Sequence, residues 1–398
     1  MVEAIFVTLV ALTLAYVFSE IFKLLKLPRV LGQIVAGIIL GLPVIKMWLF
    51  TEDIKSAFSF MTNIGIILLF FFVGLEINFT RFRKNMKESS LIALFNTTIP
   101  LFFGFIVCRA LFDFDNITSL IIGISLSVSS QAVSLDILEE SKMLKTKIGN
   151  LIVTSGAVDD AFELLLISTI LVIFHTVGKG SWQRLVIDMV VFVVMMLIFR
   201  ISLIPFALKQ FQKDKTQSTL FMGALIIVLF MAYVSELFSV GSLIGALLAG
   251  IMVRQTLLKE EGKNPWRKNQ ISHLIHVMAF GFLIPIFFVN VGLQADLPGI
   301  LSNIFLVLVL LAIDIFGTIA GTLIGVALSG GSLKEAFIVG WGITPKGDTE
   351  LVIATIAYNG GLINVNIFTA IISVAILSTF IGTIAFKMLI KKHSVNKA

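Results

Sequence analysis

Gly149-Asn150-Leu151-Ile152-Val153-Thr154-Ser155-Gly156-Ala157-Val158-Asp159-Asp160-Ala161-Phe162-Glu163 opens an otherwise apolar run that continues to His175. A helix over 148–175 is long enough to cross a bilayer, which takes about 20 residues at roughly 1.5 Å each. The two aspartates then fall near the midplane, where an ionisable side chain is costly and marks a functional site by default. Successive helix positions diverge by about 100°, so Asp159 and Asp160 face different ways. One can meet a transport path while the other faces a partner helix. Glu163 shares their face of the helix, and either extends the polar path or pairs with a basic group. Adjacent carboxylates stripped of water are stable when protonated or cation-bound and costly when bare. Exchange of a proton for a metal ion at one site requires that property; a hydrogen-bonded structural pair is the other use of such residues.

The membrane reading extends to the whole chain. Of 398 residues, 58% are hydrophobic and only 14% charged, and mean hydropathy is +1.03, whereas a soluble domain carries roughly 25% charged residues. Apolar stretches predict an all-α membrane protein of about 13 spans, near 4–22, 30–48, 58–78, 89–112, 117–138, 148–175, 184–208, 217–237, 240–256, 272–294, 301–329, 334–357 and 363–390. No small-residue cleavage site follows 4–22, so it reads as a retained span rather than a signal peptide. A single cysteine, Cys108, argues against an internal disulfide and a Cys-based metal site. The net charge of +6 sits in loops, which points to anionic lipid headgroups rather than nucleic acid. Connections after odd-numbered spans, taken with the span ends beside them (Arg254 included), carry 20 basic residues and those after even-numbered spans carry four. The positive-inside rule then predicts a multi-pass inner-membrane protein with its N-terminus outside and its C-terminus in the cytoplasm.

Two further spans carry unusual polar groups. Residues 117–138 contain Gly123-Ile124-Ser125-Leu126-Ser127-Val128-Ser129-Ser130-Gln131-Ala132-Val133-Ser134. An interrupted helix here would offer carbonyls and hydroxyls to a hard cation; a continuous helix would use the same residues as a small-residue packing face. Residues 334–357 contain Gly340-Trp341-Gly342-Ile343-Thr344-Pro345-Lys346-Gly347-Asp348-Thr349-Glu350. Pro345 removes a helical hydrogen bond and Gly347 relaxes the backbone, so a break is expected. Lys346 and Glu350, four apart, are expected to neutralise each other and the half-helix ends. Two interrupted segments, one in each half of the chain, form the pattern of inverted-repeat transporters.

The stretch Leu27-Pro28-Arg29-Val30-Leu31-Gly32-Gln33-Ile34-Val35-Ala36-Gly37-Ile38-Ile39-Leu40-Gly41 resembles the opening signature of the cation:proton antiporter superfamily, in its sodium/proton and Kef-type branch. Phe71-Phe72-Val73-Gly74-Leu75-Glu76, Ala157-Val158-Asp159-Asp160 and Thr344-Pro345-Lys346-Gly347-Asp348 are similar to its later signatures, in the same order. The resemblance implies two inverted repeats and two crossing broken helices. It implies a single transport unit over 1–398, without a soluble regulatory domain. A core domain would hold the broken helices and the aspartate helix, and a dimer domain the remaining spans of a homodimer. It also implies that Asp160 carries the proton or the monovalent cation, that Asp159 is its more variable neighbour, and that Ser129 and Ser130 mark the first break. Electrogenic relatives carry a lysine or arginine before the second broken helix; aligning Gly321, Gly330 and Ala336 puts Thr318 there, with Asp314 one turn earlier. Threonine releases no proton in exchange, so electroneutral exchange is expected. Kef-type proteins carry a cytoplasmic nucleotide-binding domain after the membrane region; here Lys391–Lys397 forms a short tail, and only a separate regulatory subunit stays open.

The expected function is exchange of protons for Na⁺, K⁺ or Li⁺, with no cofactor beyond the transported ions, or a potassium-efflux or germination-type cation transporter of the same fold. No enzymatic activity is expected. An intramembrane aspartyl protease needs two carboxylates on different helices facing one water, whereas Asp159 and Asp160 are neighbours on one. A channel would need repeated polar rings.

Overall fold

The computed structural model describes residues 2–25, 27–76, 86–130, 132–144, 146–176, 191–192, 194–211, 216–238, 240–261, 270–296 and 303–395. Among these residues the only regular structure is helix. The helices are α1 (Val2–Leu24), α2 (Arg29–Leu40), α3 (Pro43–Leu49), α4 (Glu52–Glu76), α5 (Met86–Leu111), α6 (Asn116–Ser127), α7 (Ala132–Glu140) and α8 (Lys147–Thr176). They continue with α9 (Ile204–Phe211), α10 (Gln217–Leu237), α11 (Ser242–Glu261), α12 (Gln270–Met278), α13 (Ile284–Gln294), α14 (Ile304–Leu328), α15 (Leu333–Ile343), α16 (Asp348–Asn359) and α17 (Val365–Val395). Among the described residues six helices are long and apolar enough to cross a membrane alone, or seven if α2 and α3 count as one span.

Where residues are described, the helices overlap the predicted spans, with one correction; the start of the 184–208 span lies outside the described residues. The 30–48 stretch is not one continuous helix. It ends at Leu40 and restarts at Pro43, the first residue of α3. Proline has no N–H to extend a helix and is at home in a first turn, so the apolar run conceals a stop and a start. Two π-turns, Phe199–Leu203 and Ala279–Leu283, lie just before Pro205 and Pro285. A proline ring clashes with the carbonyl four residues earlier. In both cases that carbonyl belongs to the wider turn, which makes room for the ring.

The chain divides into two compact units. One comprises residues 1–15, 42–77 and 171–290. Within it α4 and α11 touch backbone to backbone: a Cβ on Gly74 would lie 2.2 Å from the Leu247 carbonyl oxygen, and one on Gly250 would lie 2.2 Å from that of Phe71. The buried Arg254 donates from Nη1 to the Leu75 carbonyl at 3.1 Å, so this residue, counted above among the loop charges, braces the end of α4.

The other unit comprises residues 16–41, 78–170 and 291–398, and holds both interrupted helices and most of α8. Here α14 lies directly on α5. A Cβ on Gly321 would stand 2.4 Å from the Phe95 carbonyl oxygen, and one on Gly325 would stand 2.7 Å from Ile92 Cα. This close approach fixes α5, and with it Asn96 and Thr97, against the interior of the unit. An apolar cluster of Ile148, Leu151, Ile152, Val339, Ile343 and Phe386 packs the start of α8 against α15 and α17.

Candidate functional site

Both expected interruptions are present. α6 stops at Ser127 and α7 starts at Ala132; α15 stops at Ile343 and α16 starts at Asp348. The two breaks meet. The Ser130 amide donates to the Pro345 carbonyl at 2.8 Å, and a Cβ on Gly347 would fall 2.3 Å from Ser130 Cβ. Glycine at 347 is therefore required by contact. The hydroxyl of Ser134 donates to the Gly342 carbonyl, a second tie between the interrupted helices.

α8 turns its polar face toward the first break. Asp159 is 1% exposed. Its Oδ1 accepts from the Thr97 hydroxyl at 2.7 Å and its Oδ2 from the Ser129 hydroxyl. The Asn96 amide reaches Ser129 Oγ at 3.5 Å. One turn along, Glu163 Oε1 accepts the Ser129 backbone N–H at 3.0 Å. Through this bond Glu163 reaches the first break. A carboxylate within reach of two hydroxyls and an amide can bind a proton or a small hard cation through oxygen alone.

Lys346 occupies the second break and is buried. Its ammonium lies 2.8 Å from Asp314 Oδ1 on α14 and donates to the Leu126 carbonyl at 2.7 Å. The second bond places positive charge on the C-terminal end of α6, where the helix dipole is negative. The expected direct pairing of Lys346 with Glu350 is corrected by this geometry. α16 begins after Lys346, so the i,i+4 register of a continuous helix is absent. Among the described residues Lys346 is ion-paired with Asp314 and acts on Glu350 only at longer range. Glu350 is fully buried, and neither of its oxygens has a hydrogen-bond partner among the described residues. Thr318, one turn beyond Asp314, is also buried with its hydroxyl unpartnered. The Lys346 main chain is held by Thr379, whose Oγ1 accepts from the Lys346 N–H and is 2.9 Å from its carbonyl.

The backbone of Asp160 belongs to α8, but its side chain lies outside the described residues, as do those of Asp348 and Glu76. Asn96, Thr97 and Thr379 were not singled out from the sequence. Asn96-Thr97-Thr98 is a polar triplet inside an otherwise apolar span, and that was the available signal.

The family model described as "Sodium/hydrogen exchanger, transmembrane" matches residues 8–392. The chain belongs to the sodium/hydrogen exchanger family. Among similar proteins, this exchanger is 29% identical over 382 residues to the Na⁺/H⁺ antiporter of Enterococcus hirae, covering 95% of this chain and 96% of that one. It is 27% identical over 354 residues to the Na⁺/H⁺-K⁺ antiporter GerN of Bacillus cereus, covering 89% and 88%. Its fold is similar to that of the sodium proton antiporter MjNhaP1 from Methanocaldococcus jannaschii, with a TM-score of 0.70 at 15% identity over 98% of both chains. The exchanger family is a family of membrane transport proteins, in accord with the all-helical architecture.

Proposed function

We propose that this protein exchanges protons for Na⁺, with K⁺ and Li⁺ as further cations, by alternating access at the aspartate pair of α8. The observation that carries the reading is the placement of Asp159, buried at the first break between the hydroxyls of Thr97 and Ser129. Asp160, the next residue, is the proposed carrier, and Asp159 and Ser129 are proposed to support the same site. When a cation enters, the hydroxyl oxygens replace part of its hydration shell and a carboxylate supplies the charge. When a proton returns, the carboxyl becomes neutral and the cation is released. Because one site serves both ions, it is proposed to face the two sides of the membrane in turn. The Na⁺/H⁺ and Na⁺/H⁺-K⁺ antiporters among the relatives support this cation class.

Exchange is proposed to be electroneutral, because Thr318 stands where electrogenic relatives place a base. The functional form is proposed to be a homodimer in the cell membrane, with the C-terminus in the cytoplasm and lipids around it. The test is dye-reported proton flux in proteoliposomes given Na⁺, Li⁺ or K⁺, on wild type, Asp160→Asn and Asp159→Asn. Asp160→Asn is expected to be inactive. Cation-driven proton flux by that variant at the wild-type rate removes Asp160 from the carrier role.

A further inference from the structure

One buried carboxyl outside the proposed exchange site has neither a hydrogen bond nor an ion pair among the described residues. Glu350 lies in the first turn of α16, is fully buried, and offers two oxygens that no donor meets. Asp159, at the other break, is satisfied by two hydroxyls. The difference is chemical. Asp159 has hydroxyl oxygens beside it that could serve a dehydrated cation, whereas no donor among the described residues meets Glu350. A bare carboxylate in such a place costs several kcal/mol, by order of magnitude, and the start of one half-helix offsets only about 1 kcal/mol of that. A proton neutralises it outright.

The surrounding charges say what that proton controls. Lys346 and Asp314 both act electrostatically on Glu350. α6, packed against α16, carries no charged side chain over Asn116–Ser127, and α17 carries none before Lys387. Asp159 on α8 also feels Lys346. The local set is therefore three acids, Asp314, Glu350 and Asp159, and one base, Lys346, which acts on all of them. With Glu350 neutral, Lys346 stays on Asp314 and on the Leu126 carbonyl. With Glu350 negative, a second carboxylate competes for the same ammonium, and the cap on the end of α6 is weakened.

We infer that Glu350 is a second proton-binding site, distinct from the exchange site, whose proton keeps Lys346 on Asp314 and on the end of α6 and so locks the crossing of the two broken helices. The proton comes from water and returns to it; no other bond changes. Loss of the proton frees the lock, so Glu350 sets the pH dependence of exchange without carrying the cation. The inference rests on the proposed exchange only for that last consequence.

The first arm of the test does not use transport. Infrared difference spectra of the purified full chain are recorded as the pH is stepped from acid to alkaline, for wild type, Glu350→Gln, Glu350→Asp and Asp159→Asn. Wild type and Asp159→Asn are expected to lose a protonated-carboxyl band on alkalinisation. In Glu350→Gln that band is absent, and in Glu350→Asp it moves to the aspartic acid position. An identical band in wild type and in either Glu350 variant overturns the inference, and so does the absence of any titrating band in wild type. If Glu350→Gln does not assemble, Glu350→Asp alone decides. The second arm measures cation-driven proton flux against pH: Glu350→Gln should keep the low-pH behaviour of wild type across the range, and an unchanged profile overturns the inference. Wild type that exchanges none of the three cations defeats the proposed function, while the infrared result still decides Glu350.

Discussion

The Lys346 ammonium is paired with Asp314 across helices, 2.8 Å apart, and both side chains are buried. Removing one member of a buried pair strands the other, which costs about 3–5 kcal/mol, whereas replacing both by apolar groups is often neutral. Asp314→Leu and Lys346→Met are each expected to lower the thermal denaturation temperature of the detergent-purified protein markedly. The double variant should recover most of the loss. Additive losses in this double-mutant cycle would mean that the two groups do not support each other.

Thr97 tests the exchange site from α5. Its hydroxyl donates to Asp159 Oδ1 at 2.7 Å, and an unmet buried acceptor costs about 1–3 kcal/mol. Thr97→Val is expected to raise the KM for Na⁺ by roughly tenfold, at about 1.4 kcal/mol per decade, and Thr97→Ser to restore it. Stopped Na⁺-driven proton flux over a cation series makes the measurement. A KM unchanged in Thr97→Val would place the hydroxyl outside the ion path.

Gly347 tests the crossing itself. An added methyl would sit 2.3 Å from Ser130 Cβ, and overpacking of this kind costs about 1–3 kcal/mol. Gly347→Ala is expected to be less thermally stable and to exchange more slowly, while Gly281→Ala, whose added methyl would meet nothing within 4 Å, serves as the control. Wild-type flux and stability in Gly347→Ala would show that the two breaks part easily.

Asp115 gives a pH dependence outside the membrane-spanning helices. It caps α6, accepting from the Ile117 and Thr118 amides at 2.9 and 3.1 Å and from the Thr118 hydroxyl. The Thr118 hydroxyl, chiefly, holds its carboxyl below the ordinary value of 3.8. A group depressed on folding stabilises above its unfolded value and loses that contribution as pH falls through the folded one. Asp115→Ala should therefore cost about 1 kcal/mol near neutrality, and the gap to wild type should close below about pH 4. Thermal melts of both proteins along a pH series read the difference; a gap independent of pH would leave the cap uncharged in its effect.

Much of this arrangement was legible in the sequence because its causes are local. Lipid demands long apolar runs, so hydropathy located the helices. Pro345 and Gly347 disfavour a continuous helix, whereas the hydroxyl-rich run at Ser125–Ser134 left a break and a packing face both open, and the family resemblance pointed to the break. Where the outcome depends on what touches what, the reading failed. Lys346 was given to Glu350 by spacing, yet the break removes the helical geometry that spacing assumes. Asn96 and Thr97 went unnoticed because a few polar atoms barely alter the hydropathy of their span, and only the seating of α14 glycines against α5 aims them inward. The stop before Pro43 was hidden by the apolar residues on both sides of it.

The bond from the Ser130 amide to the Pro345 carbonyl is made between main-chain atoms. No amino-acid exchange at its acceptor end can delete it, since every residue brings a carbonyl, and at its donor end only proline could. The hydroxyls that meet Asp159 can therefore be redesigned, to favour a larger or a smaller ion, without unfastening the joint beside them.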